Sequence, residues 1–340
     1  MISGHGNDAF NYNVNLKADF SSNINCHASI DLICNYLNKT LRRSISNYPQ
    51  PQPYNLETLL ANKIGIKKDE ICVTSGATEA IYLIAQAFKG MKSVILQPTF
   101  NEYEDACKIH GHNVCCIRNI FDEDLSKFNL CWICNPNNPT GQVIPLNSLK
   151  QIIHTNSQTV FVIDQSYEHF TLKPILNSGD ALDFHNVILL HSFTKRYAIP
   201  GLRLGYATAC KPLIKPLHHL RMPWSVNSLA IEAGMLLADD IVKPLPYLSQ
   251  YLEDAKLLQE KLQSCTGIAV FPSDTHFMLC TLQQGNSANL KSFLISEYKI
   301  LIRDASNFNG LNSQCFRIAA QTQELNNLLV STVKKYMERW

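Results

Sequence analysis

From about residue 55 onward, short apolar runs alternate with longer stretches in which apolar residues recur every three or four positions. Ile71-Cys72-Val73, Val94-Ile95-Leu96, Cys131-Trp132-Ile133-Cys134, 160–163 and 187–190 are bounded by Gly, Pro, Asn or Asp. Unbroken apolarity over strand length predicts strands covered on both faces, as in a largely parallel sheet. Between them, residues 77–89 place Ile81, Ile84 and Phe88 at helical spacing with Leu83 and Ala87 beside them, and 146–154 predicts another helix.

The character changes after Pro244. A long amphipathic helix over 247–265 leads into short strands around 269–271, 277–281 and 316–319, and a last helix runs over 323–339. The pattern predicts an α/β protein with a large domain over 41–240. A smaller α+β domain follows over 241–340, grouped with 1–40, an extended stretch lying against both. Open α/β sheets bind ligands beyond the carboxyl ends of their strands, so the chemistry is sought there.

Composition narrows the function classes. With 340 residues, 46% of them hydrophobic and 17% charged, the chain can bury a large core. A net charge of +2 without a basic block gives no footprint for nucleic acid. The first ten residues lack the layout of a signal peptide, and the apolar runs are too short to cross a bilayer, which predicts a cytoplasmic protein. Twelve cysteines scattered through apolar segments read as reduced core residues. The CxxC of residues 131–134 lies inside a strand pattern, and no second Cys/His pair has ligand spacing, so no metal is expected.

Four motifs fall at strand ends. Thr74-Ser75-Gly76-Ala77-Thr78-Glu79 links a strand to a helix, and such a turn offers free backbone N–H groups and a positive dipole end to a phosphate. Asn135-Pro-Asn-Asn138-Pro-Thr-Gly141 is rich in turn formers and follows a strand. Asp164 closes an apolar strand three residues before Tyr167; alone it reads as a helix cap, in company as an anionic partner for a pyridinium nitrogen. Ser192-Phe-Thr-Lys195 follows the next strand, with Arg203 eight residues on. An amine there can form an imine with an aldehyde cofactor if cations and dipoles keep its pKa low.

Together, in this order, these motifs resemble the fold-type I pyridoxal-phosphate (PLP) enzymes of the aminotransferase class I/II family, over essentially the whole chain. The resemblance implies a mostly parallel, seven-stranded-type sheet in the large domain, PLP as cofactor, Lys195 as its Schiff-base lysine and Asp164 as the pyridine-nitrogen partner. It places Tyr167 and Asn138 on the ring oxygen, and Ser192, Arg203 and the Gly76-Ala77-Thr78 turn on the phosphate. Phe100 in Gln97-Pro-Thr-Phe100 matches the aromatic that stacks on the ring. Tyr48 in Asn47-Tyr48-Pro49 matches a tyrosine that reaches the neighbouring subunit's cofactor, which implies a homodimer. Arg317 matches the arginine that clamps the substrate carboxylate. Gln165-Ser166 stands where the family usually has Glu-Ala, and both contacting residues around it are intact.

Two branches of the family compete. Gly4-His5-Gly6-Asn7, Asp19-Phe-Ser-Ser-Asn23-Ile-Asn25, 195–203, 222–227 and Ile300-Leu-Ile-Arg303 are more similar to the threonine-phosphate decarboxylases of cobalamin synthesis than to the histidinol-phosphate aminotransferases. That resemblance implies a small, phosphorylated amino-acid substrate held by Arg303 and Arg317 with His5 and Asn23. Cys26-His27-Ala28 departs from the decarboxylase pattern near the substrate's distal end. The type of reaction stays open, with a histidinol-phosphate-type or general aminotransferase as the alternative. A non-catalytic homologue is less favoured, since degenerate members tend to lose the lysine or the aspartate.

Overall fold

The computed structural model describes residues 8–12 and 14–339. The strands are β1 (Ala18–Asp19), β2 (Ile71–Thr74), β3 (Lys92–Leu96), β4 (Asn113–Ile117), β5 (Leu130–Cys134), β6 (Val160–Asp164), β7 (Val187–Ser192) and β8 (Gly205–Ala209). Toward the C-terminus come β9 (Ile268–Val270), β10 (Phe277–Leu282), β11 (Ile300–Leu301), β12 (Arg303–Asp304) and β13 (Cys315–Ala319). β2 to β8 form one seven-stranded sheet in the order β2-β8-β7-β6-β5-β3-β4. It is parallel except for β8, which runs against both β7 and β2. β5, β6 and β7 are buried along nearly their whole length, as the unbroken apolar runs require.

The helices cover this sheet on both faces. α1 (Asp31–Ser46), α2 (Tyr54–Ile64), α3 (Gly76–Ala87), α4 (Glu102–Ile109), α5 (Leu146–Thr155) and α6 (Ser178–Leu182) precede the four-residue α7 (Phe193–Arg196). α8 (Lys211–Leu220) and α9 (Ser228–Leu237) complete that part. On one face Ile81, Ile84 and Trp132 join a core that continues into the C-terminal part. On another, Phe161, Ile163 and Leu189 pack with Leu149 and Ile153 of α5. Each such side chain, fully buried, contributes about 1.5–3 kcal/mol, so the sheet is a rigid platform for its loops.

α10 (Leu248–Gln263), α11 (Ser287–Tyr298) and α12 (Gln323–Met337) pack on a four-stranded antiparallel sheet, β12-β13-β10-β9. Two differences from the sequence reading stand out. Residues 31–40, expected to be extended, lie in α1, whose Ile33 packs in one core cluster with Leu56 and Ala230. The part that is extended carries β1, which pairs in parallel with β11 through Ala18 opposite Ile300. β4 and β8 had not been expected. β4 is an edge strand with mixed burial, and β8 is built largely of Gly and Ala, so neither shows a strong apolar run.

Candidate active site

The carboxyl ends of β2, β5, β6 and β7 open on one cavity of about 350 Å³, closed from the other side by residues of the C-terminal sheet. At one end lies the start of α3. Gly76 has φ +78°, and a Cβ there would stand 2.6 Å from an Arg203 guanidinium nitrogen. Gly205 of β8 has the same purpose: its Cβ would meet the Ala77 backbone nitrogen at 2.6 Å. Only glycine at these positions lets the turn, the strand and the guanidinium come together. As first residues of the helix, Ala77 and Thr78 have N–H groups without intrahelical acceptors. Arg203 itself sits in the left-handed region at φ 58°, ψ 72°, a strained conformation for a non-glycine residue. Ser192 caps α7, accepting the Thr194 N–H at 3.2 Å, and lines the same end.

Lys195 stands on α7 and lines the cavity. Its carbonyl accepts the Asn25 N–H at 3.0 Å, and the Asn25 amide donates to the Arg196 carbonyl at 2.9 Å, which ties the N-terminal segment to this helix. Burial pushes the Lys195 amine down from 10.5 to about 8, helped by the cations Arg317 and Arg203 and opposed by Asp19 and Asp164. A fair share of neutral amine near neutral pH is what a nucleophile or a proton acceptor needs.

Asp164 ends β6, opposite Cys134 of β5 and Leu190 of β7. Its Oδ2 accepts the Tyr103 hydroxyl at 2.7 Å and its Oδ1 the Ser166 N–H at 2.8 Å. Tyr167 is buried against the Phe277 ring at a centroid distance of 4.8 Å, and burial pushes its phenol up, so it is a protonated donor. Phe100 lines the cavity and meets Tyr103 edge-on at 5.8 Å.

The far wall carries two arginines. β12 and β13 are antiparallel with Arg303 directly opposite Arg317. Like charges at such a pair repel and destabilise a sheet, so the arrangement costs stability without an anion between them. The Arg317 guanidinium is buried and donates to the Asn138 side-chain oxygen and the Ser21 carbonyl. Arg303 donates to Asn307 Oδ1 at 2.6 Å and to the Asp304 carbonyl, with its guanidinium 5.2 Å from the Phe308 ring. Burial, then Arg317, pushes Arg303 down to about 10. Both stay cationic near neutral pH.

Thus Ala77, Thr78, Phe100, Asn138, Asp164, Tyr167, Ser192, Lys195, Arg203, Arg303 and Arg317 converge on one cavity, with Gly76 directly behind Arg203. Asn23 is fully buried one layer back, beside the Tyr167 hydroxyl. Tyr48 is 86% exposed, packs on Trp224 at 5.5 Å and is not among the residues lining this cavity. His5 lies outside the described residues. Sequence reasoning missed Tyr103 as a partner of Asp164, although it follows Phe100 at helical spacing. It also missed Asp19, which acts on Lys195 and Arg317 across the fold.

A mostly parallel seven-stranded sheet with the lysine, the acid and the glycine turn at its strand ends defines a fold-type I PLP-dependent enzyme. The chain belongs to the aminotransferase class I and II family, whose model matches residues 16–333. The crystal structure of L-threonine-O-3-phosphate decarboxylase from Porphyromonas gingivalis superposes with a TM-score of 0.91 at 36% identity, covering 94% of this chain and 99% of that one. The histidinol-phosphate aminotransferase structure from Clostridium acetobutylicum gives a TM-score of 0.83 at 25% identity, covering 95% and 100%. A histidinol-phosphate aminotransferase from Thermoanaerobacter sp. (strain X514) is 31% identical over 307 residues, covering 86% of this chain and 85% of its own.

Proposed function

We propose that this enzyme decarboxylates a small amino acid that also carries a phosphate, in the manner of the threonine-phosphate decarboxylases. The observation that carries the reading is the cross-strand pair of Arg303 and Arg317, two buried guanidiniums on the wall of the cavity that holds Lys195. A substrate with one anion at Cα and a second at its far end engages both at once. Histidinol phosphate has no carboxylate and engages one. The second reading, an aminotransferase acting on histidinol phosphate or on amino acids generally, is favoured by the likeness to the two aminotransferases above.

The residues fit PLP. The free N–H groups of Ala77 and Thr78, with Ser192 and Arg203, would hold its phosphate, and the glycine at position 76 keeps that cradle open. Asp164 would face the pyridine nitrogen, Tyr167 and Asn138 the ring oxygen, and Phe100 the ring face. When bound, PLP supplies an electron sink that stabilises the charge left on Cα when one of its bonds breaks. Lys195 Nζ would hold the cofactor and, when freed from it, would serve as the proton-transfer group at Cα. After carbon dioxide leaves, it delivers a proton there; in transamination it takes one away. Arg317 sets which bond is exposed by fixing the carboxylate with a planar, two-pronged guanidinium. Arg303 takes the distal phosphate, with Asn23 supporting from the layer behind and His5 as a further candidate from the N-terminal segment.

This reading makes the enzyme a homodimer, with Tyr48 of each copy reaching the other's site; its exposure beside Trp224 supports that role. Unbridged thiols on all twelve cysteines fit a reducing cytoplasm. The division into 41–240 and 241–340 with 1–40 is proposed with one change: α1 packs on α9, so residues 31–40 go with the large unit. Arg303→Ala tests the substrate class. It should lower kcat/KM for threonine phosphate far more than for threonine, and an unchanged ratio would remove Arg303 from the phosphate site.

A further inference from the structure

We propose that Tyr103 is a positioning residue for the acid of this site, its phenol fixing the Asp164 carboxylate as the anionic partner that a pyridine nitrogen requires. This rests on the PLP reading above.

Each oxygen of Asp164 receives a protein donor, the Tyr103 hydroxyl at 2.7 Å on Oδ2 and the Ser166 N–H at 2.8 Å on Oδ1. A carboxylate oxygen accepts more than one hydrogen bond, so capacity remains for a cation on the cavity side. The two donors differ in kind. The Ser166 N–H belongs to the chain two residues on and is supplied by any residue but proline. The phenol comes from another element, the first turn of α4, and depends on one side chain.

The phenol is held rather than loosely placed. Tyr103 is buried, with its ring stacked on Trp132 at 5.5 Å and 17°. Trp132 lies on β5 two residues before Cys134, which is directly opposite Asp164 in the sheet register. Phe100 meets the Tyr103 ring edge-on at 83°. One aromatic thus braces both the acid and the side chain proposed to stack on the cofactor ring. Burial and the negative charge of Asp164 push the phenol well above its ordinary range, so Tyr103 stays protonated and can only donate to that carboxylate. Hydrogen bonds to the charged form favour it, and a donor on the carboxylate makes it a weaker base. A proton shared between Asp164 and the pyridine nitrogen then stays on the nitrogen, where it is needed for electron withdrawal.

A structural tyrosine would account for the packing on Trp132, and phenylalanine would serve that purpose equally. The hydroxyl is what the proposal concerns. The full-length protein is loaded with nitrogen-15 PLP and compared by NMR as wild type, Tyr103→Phe and Asp164→Asn. Wild type should show a protonated pyridine nitrogen and Asp164→Asn an unprotonated one, with Tyr103→Phe shifted toward the latter. Its kcat should fall about tenfold or more while KM stays within about twofold, since a hydrogen bond to a charged group is lost and no substrate contact is. A Tyr103→Phe resonance that coincides with wild type overturns the inference alone. A wild-type protein that takes up no PLP overturns it together with the proposed function. 3-Fluorotyrosine at position 103 keeps the ring and its hydroxyl and guards against a variant that fails to fold. Its fluorine-19 resonance should move when PLP binds, and one that does not respond also overturns the proposal.

Discussion

The Lys195 amine offers the most searching physical test, because its acidity follows from burial and two cations rather than from any resemblance. The fall from 10.5 to about 8 is a difference of about 3 kcal/mol between its protonation states. At about pH 7.5 roughly a quarter of the amine is neutral, against about one part in a thousand for an ordinary lysine. Competitive acylation of the cofactor-free protein, read by mass spectrometry, should therefore give a Lys195 reactivity profile with its midpoint near 8. Arg317→Met or Arg203→Met should raise the midpoint, yet leave it below 10.5 because burial is the larger cause. The sign for stability follows. With its folded pKa below its unfolded one, Lys195 binds fewer protons in the folded chain between about pH 8 and 10.5, so its contribution to stability rises with pH across that window. Below it, the buried ammonium is a fixed cost. The cofactor-free Lys195→Met protein should melt higher than the parent at neutral pH, and the gain should shrink as pH climbs from 8 to 10.5. A midpoint near 10.5, or one indifferent to both arginines, would refute this electrostatic account.

Two further outcomes are expected. Asp164→Asn should fold nearly as the parent does but lose turnover by orders of magnitude in steady-state assays; parental activity would leave Asp164 as a capping residue only. Mixing inactive Lys195→Ala and Tyr48→Ala proteins should restore part of the activity through hybrid dimers carrying one intact site, and a monomeric, fully active enzyme in light scattering would contradict shared sites.

The sequence was most legible where local chemistry and position coincide. Asp164, Ser192 and Lys195 each terminate or follow an unbroken apolar run, so strand and site were readable together. Gly76 was readable because a glycine between a strand and a helix announces a turn, but its reason, the Arg203 guanidinium that a Cβ would strike, is a long-range contact. Tyr103 was invisible for the same cause: its partner lies 61 residues away, and nothing in an aromatic at helical spacing distinguishes a packed ring from a packed donor. The pairing of Arg303 with Arg317 could not be read at all, since register between β12 and β13 depends on the turn between them and on packing under the sheet. α1 carries Ile33, Leu37, Leu41 and Ile45 at four-residue spacing, a helical stripe that the extended reading of the N-terminal stretch passed over, although only Ile33 of its sixteen residues is deeply buried.

The central claim is that this cavity breaks the bond between Cα and the carboxylate of a phosphorylated amino acid. Purified protein supplied with PLP should release carbon dioxide from carboxyl-labelled threonine phosphate, without any keto acid, and should not consume histidinol phosphate when a keto acid is present. Keto-acid-dependent loss of histidinol phosphate with no carbon dioxide from threonine phosphate would contradict it.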